Sequence, residues 1–188
     1  MMTLKESFAA GTDMAVSISG TTYYQTFTLT SDHTIAAIGL YLSKGGTSPG
    51  VVTVSLRDTE GKQDLAIGSR PGGRDLVDFV FDGSAIADVP TWYLFPFNKL
   101  LHQTSGDILS ILVKEEGGAG TISWYGVAAG GYAGGNEGYW DDTAGLWIAE
   151  TADLYFRVYS GYDEELNRRI NSLYPVSPVK IQMRLLPP

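Results

Sequence analysis

Along most of the chain, apolar and polar side chains alternate. In Asp153-Leu-Tyr-Phe-Arg-Val-Tyr-Ser160, Leu154, Phe156 and Val158 share one face while Tyr155, Arg157 and Tyr159 share the other. That period of two is the mark of a half-buried strand. It recurs over 23–29, with Phe27 and Leu29 inward and Thr26 and Thr28 outward. Over 34–43 it aligns Ile38, Leu40 and Leu42, and over 51–57 Val52, Val54 and Leu56. Val77, Phe79 and Phe81 form another set, as do Leu109, Ile111 and Val113. Residues 91–97 are also strand-like, but Pro96 has no N–H to donate, so that strand should be an edge or an end there. Residues 121–127 read as a strand bearing Trp124 and Tyr125, and 65–67 as a short edge piece. The turns between them are explicit: Ser31-Asp-His33, Lys44-Gly-Gly-Thr-Ser-Pro-Gly50 and Glu115-Glu-Gly-Gly-Ala-Gly120. About eight to ten short strands, with turn signals every ~8–12 residues, predict an all-β antiparallel sandwich.

The two ends read differently. Residues 1–14 carry no strong period and 15–19 suggest a short strand, so 1–19 is expected to be an N-terminal arm with a first short strand and 20–160 the sandwich. After Gly161 the period lengthens: Leu166, Ile170 and Leu173 stand at i, i+4 and i+7 on a predicted helix over 163–173. Asp163, Glu164 and Glu165 open it and Arg168 and Arg169 lie nearer its end, as the helix dipole favours. Pro175 and Pro178 stop it. Val179, Ile181, Met183 and Leu185 then alternate weakly, so the extended end can add a strand to this sandwich or to a neighbour's. A short helix is marginal without a surface to pack on. Leu166, Ile170, Leu173, Val179, Ile181, Met183 and Leu185 are therefore candidate assembly residues of a docking arm over 161–188.

Composition agrees with short strands and tight turns. Of 188 residues, 18% are charged and 23 are glycine, with 11 tyrosines and 4 tryptophans, against usual values of ~25% charged and ~7% glycine. The net charge of −8 leaves no basic footprint for nucleic acid. The absence of cysteine excludes disulfides and thiolate metal sites. No apolar run has the length of a signal peptide or approaches the ~20 residues of a membrane span. Neither a membrane nor a secretion route is expected.

Several pieces, taken together, resemble a known family. Gln25-Thr-Phe27, Leu40-Tyr-Leu-Ser-Lys-Gly-Gly46, Val52-Thr-Val-Ser-Leu56, Trp92 with Phe95 and Phe97, Tyr132-Ala-Gly-Gly135, Trp147 and 153–159 carry the pattern. It resembles a jelly-roll β-sandwich family that recurs in phage and archaeal-virus structural proteins and in bacterial surface proteins, similar to galactose-binding-like and carbohydrate-binding modules. The resemblance covers residues 20–160. Ser105-Gly-Asp107 replaces the family's usual Gly-Thr-x-Tyr entry to the strand at Ile108, and the chain from Tyr162 onward lies outside it. The resemblance implies a jelly-roll topology and carries no fixed set of functional residues.

Candidate chemistry is sparse. His33 lies in a turn and His102 beside an apolar pair, neither near a G-x-S-x-G elbow. The acid pairs Glu115-Glu116 and Asp141-Asp142 read as solvated turn residues rather than glycosidase carboxylates. No catalytic residue and no cofactor are expected. Asn136, Asp141 and Asp142 offer oxygen ligands for a structural calcium at most, without the D-x-[DN]-x-[DN]-G loop. The Gly/Tyr/Trp stretch over 130–147 is the best candidate for recognition of a glycan or a partner, through Tyr132, Asn136, Tyr139, Trp140 and Trp147. The alternative is that Trp140 and Trp147 close one end of the core.

The sequence thus leads to a non-enzymatic virion protein, of a tailed phage: a capsid decoration, fibre or adhesion module attached through its terminal segments. Its partners would be other virion proteins and copies of itself. The alternative is a carbohydrate-binding module of a surface protein or glycan-active enzyme, placed outside the cell or on its surface.

Overall fold

The computed structural model describes residues 2–11, 14–46, 49–60, 70–128, 131–161 and 184–185. The predicted helix over 163–173, the edge piece over 65–67, and Leu166, Ile170, Leu173, Val179, Ile181 and Met183 lie outside the described residues.

Two antiparallel sheets pack as a sandwich. One contains β1 (Met2–Phe8), β13 (Phe156–Gly161), β4 (His33–Gly45), β7 (Thr91–Gln103) and β14 (Arg184–Leu185) in that order. To it belong β9 (Thr121–Val127), paired with β4, and β2 (Met14–Ile18) and β12 (Asp153–Leu154), both paired with β9. The other runs β11 (Leu146–Ala149), β10 (Glu137–Asp141), β3 (Tyr23–Thr28), β8 (Ile108–Glu116), β5 (Val51–Thr59), β6 (Pro71–Asp82). When β1, β3, β4, β5, β6, β7, β8 and β13 are numbered first to eighth, the sheets read 1-8-3-6 and 2-7-4-5. That is the order of a jelly roll.

The core lies between the sheets, where the alternation puts it. Phe27, Val54, Leu56, Ile111 and Val113 face Ile38, Leu40, Phe95, Phe97, Phe156 and Val158, all fully buried. β4 is buried throughout 35–40, with β7 along one edge and β13 and then β9 along the other, and three of these six residues are the small Ala36, Ala37 and Gly39. Trp124 is the fully buried tryptophan, and its Nε1 donates to the Tyr155 carbonyl at 2.8 Å.

Within the expected N-terminal arm and first short strand over 1–19, two strands join the sandwich, and β2 falls where the short strand is expected. β1 pairs with β13 and β2 with β9. A register shift between Leu4 and Glu6 breaks the period of two in β1, which is why its pattern reads as structureless. Pro96 sits opposite Ala37 at a shift in the β4–β7 ladder. Beyond the Tyr93–Leu94 pairing with β14, β7 has no further neighbour on its outer side among the described residues. The missing N–H of Pro96 is thus tolerated as the sequence requires.

Candidate functional site

The glycine-rich stretch between β9 and β10 is held by a buried polar corner. Gln25 on β3 is fully buried and points between the sheets. Its Oε1 accepts from the Leu154 N–H at 2.6 Å, and its Nε2 donates to Asp153 Oδ1 at 3.2 Å and to the Thr26 carbonyl at 3.0 Å. Asp153 Oδ2 accepts from the N–H groups of Gly131 and Tyr132 at 2.8 and 2.9 Å. One carboxylate therefore ties β3 of one sheet, β12 of the other and the glycine stretch together. Burial raises the Asp153 pKa, and the donors from Tyr132, Gln25 and Gly131 oppose that shift.

From this corner the chain runs along the edge of β3. The Tyr132 ring packs 5.7 Å from Phe8 and 5.2 Å from Phe156, and its hydroxyl accepts from the Thr28 N–H. Burial pushes its phenol up to about 12. Tyr132 is thus a core-packing residue rather than an open stacking face. Thr26 points away from the core, as its alternation predicts, yet it is covered. Its Oγ1 and N–H both donate to the Asn136 carbonyl, and Asn136 N–H donates to its Oγ1. A Cβ on Gly135 would stand 1.9 Å from the Thr26 carbonyl, so only glycine permits this approach.

The β10–β11 hairpin then closes the sheet edge. Trp140 and Trp147 are cross-strand partners, half-buried, with centroids 5.1 Å apart at 70°. Trp147 also stands edge-on to the fully buried Tyr24, 5.4 Å away. Tyr139 is on the other face, 5.8 Å from Tyr23. The two tryptophans thus clad the sheet's outer face at its edge, and the core position belongs to Trp124. Of the five candidate recognition residues, Trp140 and Trp147 form one partly open surface. Tyr132 and Asn136 lie elsewhere along the stretch.

The candidate calcium ligands are not brought to one point. Asn136 and Asp141 bracket β10, about 16 Å of extended chain. Asp141 Oδ1 accepts from Thr143 and Ala144 N–H as a turn cap, and Asp142 is exposed. Among the described residues no group of three His, Asp or Glu is placed to hold a metal, and no helix is long and apolar enough to cross a membrane. His33 Nδ1 stands 2.9 Å from the Ser31 carbonyl, and burial lowers its pKa. His102 Nδ1 lies 2.7 Å from Thr34 Oγ1 on the neighbouring strand.

Two buried acids escape a reading by spacing. Glu115 is not a solvated turn residue. It is 2% exposed, with Oε1 accepting from Gly50 and Gly118 N–H and Oε2 from Gly20 N–H, so it clasps three loops. Glu116 is the exposed member, paired with Lys114 at 2.6 Å. Glu137 at the start of β10 is 1% exposed, and its Oε1 has no hydrogen-bond partner among the described residues. Burial first, then Glu150 and Asp153, push its pKa up to about 7.

No protein-family model matches the chain, and comparison with curated proteins yields no match.

Proposed function

We propose that the protein is a non-enzymatic structural module of a virus particle, most simply of a tailed phage, joined to its neighbours by strand addition. One observation carries this reading: the first and last described strands, β1 and β14, are the outermost strands of the same sheet. β14 meets β7 through two residue pairs only, Arg184 with Leu94 and Leu185 with Tyr93. A pairing that short is readily replaced by the same segment of another subunit, since the contacts are identical in cis and in trans. Leu185, the one candidate assembly residue within the described chain, lies in that strand. The jelly-roll order and the resemblance of residues 20–160 to viral structural domains support the same reading. Other virion proteins and further copies of the chain would be the partners.

Light scattering on the full chain and on a version ending at Gly161 tests it. The reading expects an assembling full chain and a folded monomer after truncation. Two monomers of equal stability would remove its basis.

A second reading, a carbohydrate-binding module, is favoured by the half-open Trp140–Trp147 pair. Glycan-array binding lost in Trp140→Ala and Trp147→Ala would support it, and an array without signal would dismiss it. A particle-bound adhesion domain can do both.

A further inference from the structure

We propose that Glu137 is a pH-sensitive latch that fastens the β10–β11 hairpin to the edge of β3 when protonated and loosens it when ionised. The hairpin is held lightly. β10 meets β3 at Glu137–Gln25, Gly138–Tyr24 and Tyr139–Tyr23, and Trp140 N–H adds a bond to the Thr22 carbonyl. Glu137 sits where this attachment begins. Its N–H donates to the Ala152 carbonyl and its own carbonyl accepts from the Glu150 N–H, so the chain on both sides of the hairpin converges on it.

Its side chain is the anomaly. Buried carboxylates elsewhere in this molecule are satisfied: Glu115 takes three N–H donors, and Asp153 takes two backbone N–H groups and an amide. Glu137 Oε1 is buried and has no hydrogen-bond partner among the described residues. The groups facing it are Tyr23 and Gln25 on β3, Glu150 after β11 and Asp153 on β12. The charges among them that act on it are both negative. A neutral carboxylic acid is tolerated in such a place, whereas a carboxylate is repelled and undersolvated.

The direction follows. The folded-state pKa lies above the ordinary 4.5, so Glu137 favours the closed hairpin fully below that value. The contribution falls away as pH rises through about 7. His33 acts oppositely, because its lowered pKa penalises the fold as pH falls. The latch must therefore be read locally rather than from total stability. Loosening the hairpin uncovers the edge of β3 and separates Trp147 from Tyr24, so the strand edge and the aromatic surface change together.

Hydrogen exchange by mass spectrometry on the full chain tests this, with exchange over 137–150 corrected for intrinsic rate between about pH 5 and pH 9. The latch predicts several-fold faster exchange above neutrality in that segment, with 108–116 unchanged. It predicts a flat profile in Glu137→Gln and an earlier onset of loosening with rising pH in Glu150→Gln, whose loss of charge lowers the Glu137 pKa without removing the group. In the latter the loosening therefore moves to lower pH. A wild-type profile that is flat, or a rise that survives Glu137→Gln, overturns the proposal. If Glu137→Gln fails to fold, an unmoved midpoint in Glu150→Gln overturns it as well.

Discussion

The corner at Asp153 and the edges at β10–β11 and β7–β14 are made from the same kinds of residue and held in opposite ways. At the corner, every hydrogen-bonding group of Gln25 and the carboxylate of Asp153 is engaged, and the bonds cross from one sheet to the other. At the edges, a hairpin rests on three residue pairs and one further backbone bond beside Glu137, whose Oε1 has no partner among the described residues, and a terminal strand rests on two pairs. A satisfied buried network fixes one arrangement, while a lightly held edge is where local opening is cheapest. The sandwich is thus most firmly fixed where its sheets are tied and least so at these two edges.

The sharpest way to break this comparison is to remove the tie. Asp153→Ala leaves the Gly131 and Tyr132 N–H groups without their acceptor and takes from the Gln25 amide one of its two, and should cost roughly 3 kcal/mol or more in urea unfolding. A loss below about 1 kcal/mol would place the corner on a level with the edges. Gly135→Ala attacks the same region through sterics: its Cβ meets the Thr26 carbonyl, for an expected loss of about 1–3 kcal/mol and faster exchange over 131–136. Glu137→Gln should have the reverse sign. At pH 8 it should stabilise the protein by on the order of 1–2 kcal/mol, a figure reduced for the water that reaches the carboxylate. At pH 5 it should have little effect, because the wild-type side chain is already neutral there. Trp147→Ala should cost about 1 kcal/mol through its lost ring contacts with Tyr24 and Trp140, the smallest change of the four, measured by thermal unfolding at pH 6 with the latch closed.

The regular part of this architecture was legible and the irregular part was not, for physical reasons. Val52, Val54, Leu56, Val77, Phe79 and Phe81 declare their faces because they alternate without interruption, and the structure buries each of them. β1 is invisible to the same reasoning because its bulge at Leu4/Glu6 shifts the period midway. The tryptophans show why composition alone misassigns roles. Trp124 sits in phase with Ile122 on an alternating strand and enters the core, whereas Trp140 and Trp147 face each other across a hairpin outside it. Tyr132 reads as a loop aromatic, yet Asp153 pulls the backbone beside it inward and delivers its ring to Phe8 and Phe156. The buried acids were hidden most thoroughly. Glu115, one residue removed from Gly117-Gly118, has the local sequence of a solvated turn, and only the return of Gly20 and Gly50 to the same point makes it a clasp. The signal that was available is the pairing of an acid with glycine N–H groups, which its neighbours on the chain alone cannot supply.

The central claim, attachment through an exchangeable outer strand, can be read from a single covalent bond. The chain has no cysteine, so Leu94→Cys with Arg184→Cys places one thiol pair at facing register positions of β7 and β14, within the Cα separation that a disulfide spans. Oxidation followed by denaturing electrophoresis at rising protein concentration should yield disulfide-linked dimers and larger species in growing proportion. A bond that forms only within one chain at every concentration would contradict the account.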